Sequence, residues 1–371
     1  MIDDKKVRGQ MSEKTAFASR QEISRAAEII ARGGIGAIPT ETVYGLGGDA
    51  TNPTAVARIY EAKGRPGDNP LILHIASPED FTGLADSPPD YAYALIAAFW
   101  PGPLTLVAKK KPNLPAWLGG HPDRSAETIG IRMPSHPMAL AVIKESGCYI
   151  AAPSANKAGT PSPTKAEHVV ADFINGSIDF VLDGGPVSGG LESTVVDVTG
   201  ARPVILRPGA ITPDMVSEAT GLEAEALFSV ASATTEATIE ATTEATIEAS
   251  PRAPGMKYRH YAPKAPMTLL MGTEADIAAY ITSQCEKNQG RKIGILVTSQ
   301  TQAKLCPSLP NILVLGHNPE TIARNLYACL RQFDIIGVDE IYAEGPAQDG
   351  LGLAIMDRMK KAAEGRVIYV S

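Results

Sequence analysis

At 371 residues the chain has room for two or three domains. Apolar residues make up 44% and charged residues 20%, enough for buried cores, while 5% aromatics argues against an aromatic nucleic-acid or carbohydrate platform. The net charge of −7 excludes a global basic footprint, and the acidity is local: residues 216–250 hold seven Glu and no Lys or Arg.

Residues 1–19 are polar and read as a loose tail without a signal-peptide core, with Met11 as an alternative start. Gln21 to Gly33 predicts an amphipathic helix that Gly33-Gly34 ends, and Ile35 to Pro39 a short strand. Helices follow over Pro53–Lys63, Tyr91–Trp100, His136–Glu145 and Lys165–Phe173. Strands are expected at Leu71–Ile75, Leu104–Ala108, Thr128–Arg132, Tyr149–Ala152, Phe180–Leu182, Thr194–Val198 and Val204–Leu206. This mixture predicts an α/β domain over 20–215, a twisted sheet with parallel and antiparallel members and flanking helices. Residues 216–265 read as a linker, in which TTEATIEA at 234–241 recurs unchanged at 242–249, a period that matches no heptad or solenoid. From Pro266 to residue 371, strands and helices alternate as in a smaller, Rossmann-like parallel domain. None of Cys148, Cys285, Cys306 and Cys329 lies in a CxxC pair, and no apolar run is long enough to span a membrane, so a cytoplasmic protein is expected.

Several segments carry groups suited to chemistry. Ile38–Asp49 places Thr40-Glu41-Thr42 before three glycines, which let backbone N–H groups approach a ligand; a strand–turn capped by Thr40 uses the same residues. Lys63 and Arg65 sit at a helix end with Asn69 in the next turn, able to hold a carboxylate or phosphate, or only to complement the helix dipole. His74 follows on an apolar strand, where a histidine is usually a satisfied core residue. Arg132 near a strand end is costly to bury unless paired. Ala151–Asn156 and Thr160–Thr164 offer small polar groups, or plain turn chemistry. Asp183–Thr194, with four glycines, reads as a phosphate-cradling or merely flexible loop. Arg207 ends another strand, and PGMKYRHYAP at 254–263 is a basic aromatic stretch suited to packing on a site or closing over it. A Walker A loop, HExxH, a catalytic triad pattern and paired carboxylates are all missing from the sequence. Cationic and polar groups at strand ends suit an anionic nucleotide and a small polar substrate, with catalysis by positioning and charge stabilisation.

PTETVYGLG, KGRPGDNPL, WPGPLT, IGIRMP, APSAN, LESTVVD and ILRPGA occur in that order, and the ordered set resembles the YrdC-like family of threonylcarbamoyl-AMP synthases in its longer, two-domain form. The resemblance implies a YrdC-like first domain and a nucleotidyltransferase that turns L-threonine, bicarbonate or CO2, and ATP with Mg²⁺ into threonylcarbamoyl-AMP and pyrophosphate. No protein side chains are expected to bind the metal, which enters on ATP, and no organic cofactor is implied. A downstream threonylcarbamoyl transferase would modify tRNA next to the anticodon, with at most weak tRNA contact by this chain. By the same resemblance Thr42, His74, Arg132, Ala152 and Ser193, with Thr40 beside them, fall on the threonine side. Arg65, Asn69, Thr128, Ser154, Ser162 and Arg207, with Asn156 and Tyr261, fall on the nucleotide side. Lys63 and Arg65 are the catalytic candidates, stabilising charge during adenylation, and the linker is expected to cover the site. A competing class is a non-catalytic RNA-binding module in tRNA or ribosome maturation, which predicts tight RNA binding with a steep salt dependence. A carbamoyl-transfer domain of the hydrogenase-maturation kind expects zinc-finger and acylphosphatase-like segments, which the sequence lacks.

Overall fold

The computed structural model describes residues 19–227 and 261–371. The tail through residue 18, the TTEATIEA repeat and residues 254–260 of the basic aromatic stretch lie outside them.

Helix α1 (Arg20–Ala31) opens on a capping box: the Ser19 hydroxyl accepts from the Glu22 N–H at 3.3 Å, and the Glu22 carboxylate accepts from the Ser19 N–H at 2.6 Å. Strand β1 (Ile35–Ile38) pairs antiparallel with β2 (Gly45–Asp49). Of the glycines of β2, expected in a ligand-facing turn, Gly45 does line a cavity, whereas Gly47 and Gly48 lie inside the sheet. A Cβ on Gly47 would stand 2.8 Å from Ile150 Cγ2, and one on Gly48 2.9 Å from Ile35 Cγ2. Their missing side chains serve internal packing. Helix α2 (Pro53–Lys63) is capped by Asn52 and stopped by Gly64 in the left-handed conformation, so the chain turns sharply between Lys63 and Arg65.

The first domain continues through β3 (Ile72–His74), α3 (Glu79–Leu84), α4 (Asp90–Phe99), β4 (Leu104–Lys109) and β5 (Thr128–Arg132). Then come α5 (Pro137–Ser146), β6 (Ile150–Ala151), α6 (Ala166–Asp172), β7 (Phe180–Val181), β8 (Thr194–Asp197) and β9 (Val204–Arg207). Helix α7 (Pro213–Thr220) and β10 (Glu225–Ala226) carry the domain past residue 215, where a linker was expected, because β10 pairs parallel with β9. The ten strands form one mixed sheet in the order β10-β9-β8-β4-β5-β3-β6-β2-β1-β7. Alternation sets its two faces. Leu73 and Ile131 enter the main core, while His74 and Arg132, paired in register, point the other way.

The second domain comprises β11 (Met267–Met271), α8 (Glu274–Lys287), β12 (Ile293–Val297), α9 (Ser299–Gln302) and β13 (Ile312–Val314). Helix α10 (Pro319–Ile336), β14 (Glu340–Glu344), α11 (Leu351–Ala362) and β15 (Val367–Tyr369) complete it. Its sheet is wholly parallel, in the order β13-β12-β14-β11-β15, and its interior strand β12 is buried throughout, as parallel sheets covered on both faces require. No helix among the described residues is long and apolar enough to cross a membrane.

The domains share a core in which Val43 and Leu191 of the first pack with Ile322, Ala323 and Tyr327 of the second. Arg331 on α10 grips Asp172 at 2.7 and 3.0 Å. Gly190 lies against α10 so closely that a Cβ would stand 2.4 Å from the Ala323 carbonyl oxygen and from Arg324 Cα. Its φ of 87° adds a left-handed backbone. Gly190→Ala is therefore expected to cost about 2–4 kcal/mol, combining backbone strain with overpacking. Gly221→Ala, at a φ of 66° with nothing within 4 Å, should cost only about 1 kcal/mol. Denaturant unfolding of both variants checks the difference.

Candidate active site

A cavity of about 360 Å³ lies against the open face of the first sheet. His74, Arg132 and Arg207 reach it as the last residues of β3, β5 and β9. Lys63 reaches it from the end of α2, and loops supply most of the remaining wall, including Thr40, Thr42, Arg65, Asn69, Ala152, Ser154, Asn156, Ser193 and Tyr261.

The Thr40–Tyr44 loop is locked by its first hydroxyl. Thr40 Oγ1 donates to the Val43 carbonyl at 2.6 Å, accepts from the Thr42 and Val43 N–H groups, and lies 2.8 Å from Thr42 Oγ1. Between the threonines, Glu41 pairs with Arg132 at 2.6 Å and accepts from the Ser135 N–H at 3.1 Å. Burial pushes the Glu41 carboxyl up, but Arg132 and these hydrogen bonds outweigh it and hold the group below the usual range. Arg132 also donates through Nε to the Gly102 carbonyl at 3.2 Å, in the WPGPLT turn. His74 has Nδ1 3.2 Å from the Ile72 carbonyl oxygen. Burial first, then the neighbouring Arg132 charge, pushes its pKa down to about 3, so it is neutral at physiological pH.

Two cations flank the end of α2. Lys63 Nζ donates to the carbonyls of Ser154 and Asn156, each at 2.5 Å. Burial, with help from Arg65, holds its pKa well below the usual lysine value. Arg65 donates to the carbonyls of Asn69 at 3.1 Å and Pro70 at 2.7 Å, and burial lowers its pKa to about 10. Asn69 is buried, and its Oδ1 has no hydrogen-bond partner among the described residues. Ser154 Oγ donates to Asn156 Oδ1 at 2.5 Å, and Asn156 Nδ2 ties back to the carbonyls of Lys157 and Thr160.

On the far wall Arg207 donates to the Ser193 carbonyl from Nε at 3.1 Å and Nη2 at 2.9 Å. Ser193 Oγ stands 2.7 Å from Thr105 Oγ1. Glu192 accepts from Ser162 Oγ at 2.6 Å, from Tyr327 at 3.0 and 3.2 Å, and from Arg358 Nε at 3.0 Å. Tyr261 stacks on Tyr327, ring centres 5.3 Å apart, and burial pushes its hydroxyl up to about 12.

Among the described residues, four basic side chains, Lys63, Arg65, Arg132 and Arg207, therefore line one cavity with a single carboxylate, Glu192, and several hydroxyls. That lining suits a polyanion beside a small polar molecule. Two of the expected ligand residues stand elsewhere. Thr128 is at the opposite end of β5 from Arg132, and Ser162 lies behind the wall with its hydroxyl turned to Glu192. The glycine loop Asp183–Thr194, expected to cradle phosphate, gives the cavity only Glu192 and Ser193, while Gly189 and Gly190 pack on Glu41 and α10. Glu41 and Glu192 have no role in the sequence reading although each adjoins an assigned residue. Tyr327 and Arg358 have no local signal, because their partner lies more than 130 residues away in the chain.

Residues 28–209 match the Sua5/YciO/YrdC family, described as telomere recombination, and residues 222–364 match the family described as threonylcarbamoyl-AMP synthase, C-terminal domain. A Pyrococcus abyssi protein named threonylcarbamoyl-AMP synthase is 43% identical over 351 residues, 94% of this chain and 96% of the relative. A Bacillus subtilis protein of the same name is 43% identical over 347 residues, 94% of each chain. The crystal structure of P. abyssi Sua5 with L-threonine superposes with a TM-score of 0.81 at 42% identity, covering 95% of this chain and 97% of that one. With both domains matched and the fold shared over 95% of its length, this chain belongs to the Sua5/YciO/YrdC family in its two-domain form.

Proposed function

We propose that this chain joins L-threonine, bicarbonate or CO2, and ATP into L-threonylcarbamoyl-AMP and pyrophosphate, a nucleotidyl transfer that feeds threonylcarbamoyladenosine modification of tRNA. The observation that carries this reading is the cavity with four cations and neutral hydroxyls, in a chain aligned across both domains with proteins named for that synthesis.

The threonine nitrogen bonds to the carbon of CO2 and releases a proton, giving a carbamate. A carbamate oxygen then bonds to the α-phosphorus of ATP while the bond from that phosphorus to the bridging oxygen breaks, and pyrophosphate leaves with the electron pair. Both reactants are anions, so their approach needs fixed positive charge. Arg132, steadied by Glu41 and Gly102, takes the threonine carboxylate or the carbamate. Thr40, Thr42, Ser193 and the neutral His74 offer hydrogen bonds without further charge, against the Ala152 wall. Arg65, Arg207, Ser154, Asn156 and Asn69 take the nucleotide, with Tyr261 as a flat neighbour. Lys63 and Arg65 stabilise charge at the phosphates. Mg²⁺ supplies further neutralisation when it enters on the ATP phosphates, an ion satisfied by phosphate, water and hydroxyl oxygens such as those lining this cavity.

Pyrophosphate release by the purified chain should require both threonine and bicarbonate. Release without either, or none from folded protein with Mg²⁺ present, rejects the reading. Arg65→Ala should lower adenylate formation by more than about tenfold, while the two carbonyl bonds it gives up cost about 1–3 kcal/mol of stability. Activity and unfolding measured on the same preparation separate the two. Burial holds the Lys63 pKa below the usual lysine value and an entering phosphate raises it, so ATP binding should take up protons over the pH range between the two. Calorimetry in two buffers of different ionisation enthalpy reads that uptake, and Lys63→Met should abolish it.

A further inference from the structure

The sequence of the second domain carries no catalytic motif, yet two of its side chains stand directly behind the cavity wall. Among the described residues that line that cavity Glu192 is the single carboxylate, and it is buried. Ser162 of the first domain gives it one hydrogen bond; Tyr327 on α10 and Arg358 on α11 hold it from the second. Arg358 is 0% exposed. Its Nη1 sits 2.7 Å from Asp357, and its guanidinium carbon lies 5.8 Å from the ring centre of Tyr261, itself part of the cavity wall. Its Nη2 has no hydrogen-bond partner among the described residues.

So buried a pair is a poor source of stability, since apolar replacements of both partners are often as stable or more so. Its effect is on charge. Burial pushes Glu192 up, and Arg358, followed by Arg207, brings it below the usual range. Two guanidinium groups therefore act on one carboxylate, and Arg207 is among the four cations that line the cavity. With Arg358 in place, Arg207 is aligned on Ser193. Without it, an uncompensated buried carboxylate would draw Arg207 and repel phosphates.

We propose that Arg358, supported by Tyr327, is a positioning residue that the second domain contributes to the active site: it neutralises Glu192, so that Arg207 keeps its place on Ser193 and its charge for the nucleotide. The assignment rests on the synthase reading and adds to it a reason for the second domain.

A double-mutant cycle on the full chain tests it, with ATP binding by calorimetry and KM and kcat by pyrophosphate release. Arg358→Met should raise Kd and KM for ATP on the order of tenfold, with a smaller change in kcat. In a Glu192→Gln background the same substitution should change either value by less than about threefold, because the charge to be neutralised is gone. An equal loss in both backgrounds, or no loss in either, overturns the positioning role. If Arg358→Met does not fold, Tyr327→Phe removes one hydroxyl from the same carboxylate and keeps the ring stack. Its ATP affinity should fall in the native background alone, and an unchanged affinity overturns the proposal. A native chain that releases no pyrophosphate fails the synthase reading itself, whereas a native chain that turns over while the cycle shows no coupling fails only this assignment.

Discussion

Holding four cations around one cavity is the constraint on which the rest of the site depends. Like charges in a weakly polarisable interior repel strongly, and each also loses its hydration. The chain answers with two kinds of partner. Backbone carbonyls hold Lys63, Arg65 and Arg207 by hydrogen bonds that fix position without cancelling charge. Arg132 is paired with a carboxylate inside the first domain, Glu41. The remaining acid, Glu192, is covered from outside the cavity by Arg358. The lining stays positive while each cation has a partner.

That arrangement explains why the site is built mostly from loops beside very short strands. Strand β3 has three residues and β6 has two, so the chain leaves the sheet quickly and exposes carbonyls that a longer ladder would have consumed. The carbonyls of Ser154 and Asn156, just past β6, are what Lys63 binds. Those of Asn69 and Pro70, just before β3, are what Arg65 binds. The strand ends give fixed points for His74, Arg132 and Arg207, and alternation sends their neighbours Leu73 and Ile131 into the core. Rigid elements thus aim the cations, and the loops between them anchor them.

The glycine loop before β8 joins the two domains to this geometry. Its backbone bonds to the Thr40–Tyr44 loop through Gly189 and Gly190, and its outer side lies on α10. Glu192 and Ser193 follow immediately, so the position of the second domain is passed to the cavity wall over a few residues. A rigid, short connection of this kind makes docking and site geometry parts of one packing problem.

Much of this protein is written locally. Helix α2 runs from Pro53 to Lys63 as its Asn52 cap, first-turn proline and Gly64 stop dictate, and β5 spans Thr128 to Arg132 as its apolar pattern dictates. The alternation from Met267 onward likewise specifies a parallel domain, and the ordered motifs carried most of the cavity-lining residues. Local pattern failed where glycine was the signal. GLGGD has too few side chains to reveal a strand, and Asp183–Thr194 reads as a ligand loop although its glycines admit a neighbouring backbone. Thr128 shares the face of Arg132 but stands at the far end of β5, and Ser162 turns its hydroxyl to Glu192, because reach along a strand and the direction of a side chain are set by register and packing. What the sequence by itself determined is the set of elements and the residue types that gather at their ends, since capping and periodicity act over a few residues. What only the tertiary structure decided is which charge meets which, as with Glu192 and Arg358, because Coulomb and desolvation energies depend on distances in space between segments far apart in the chain.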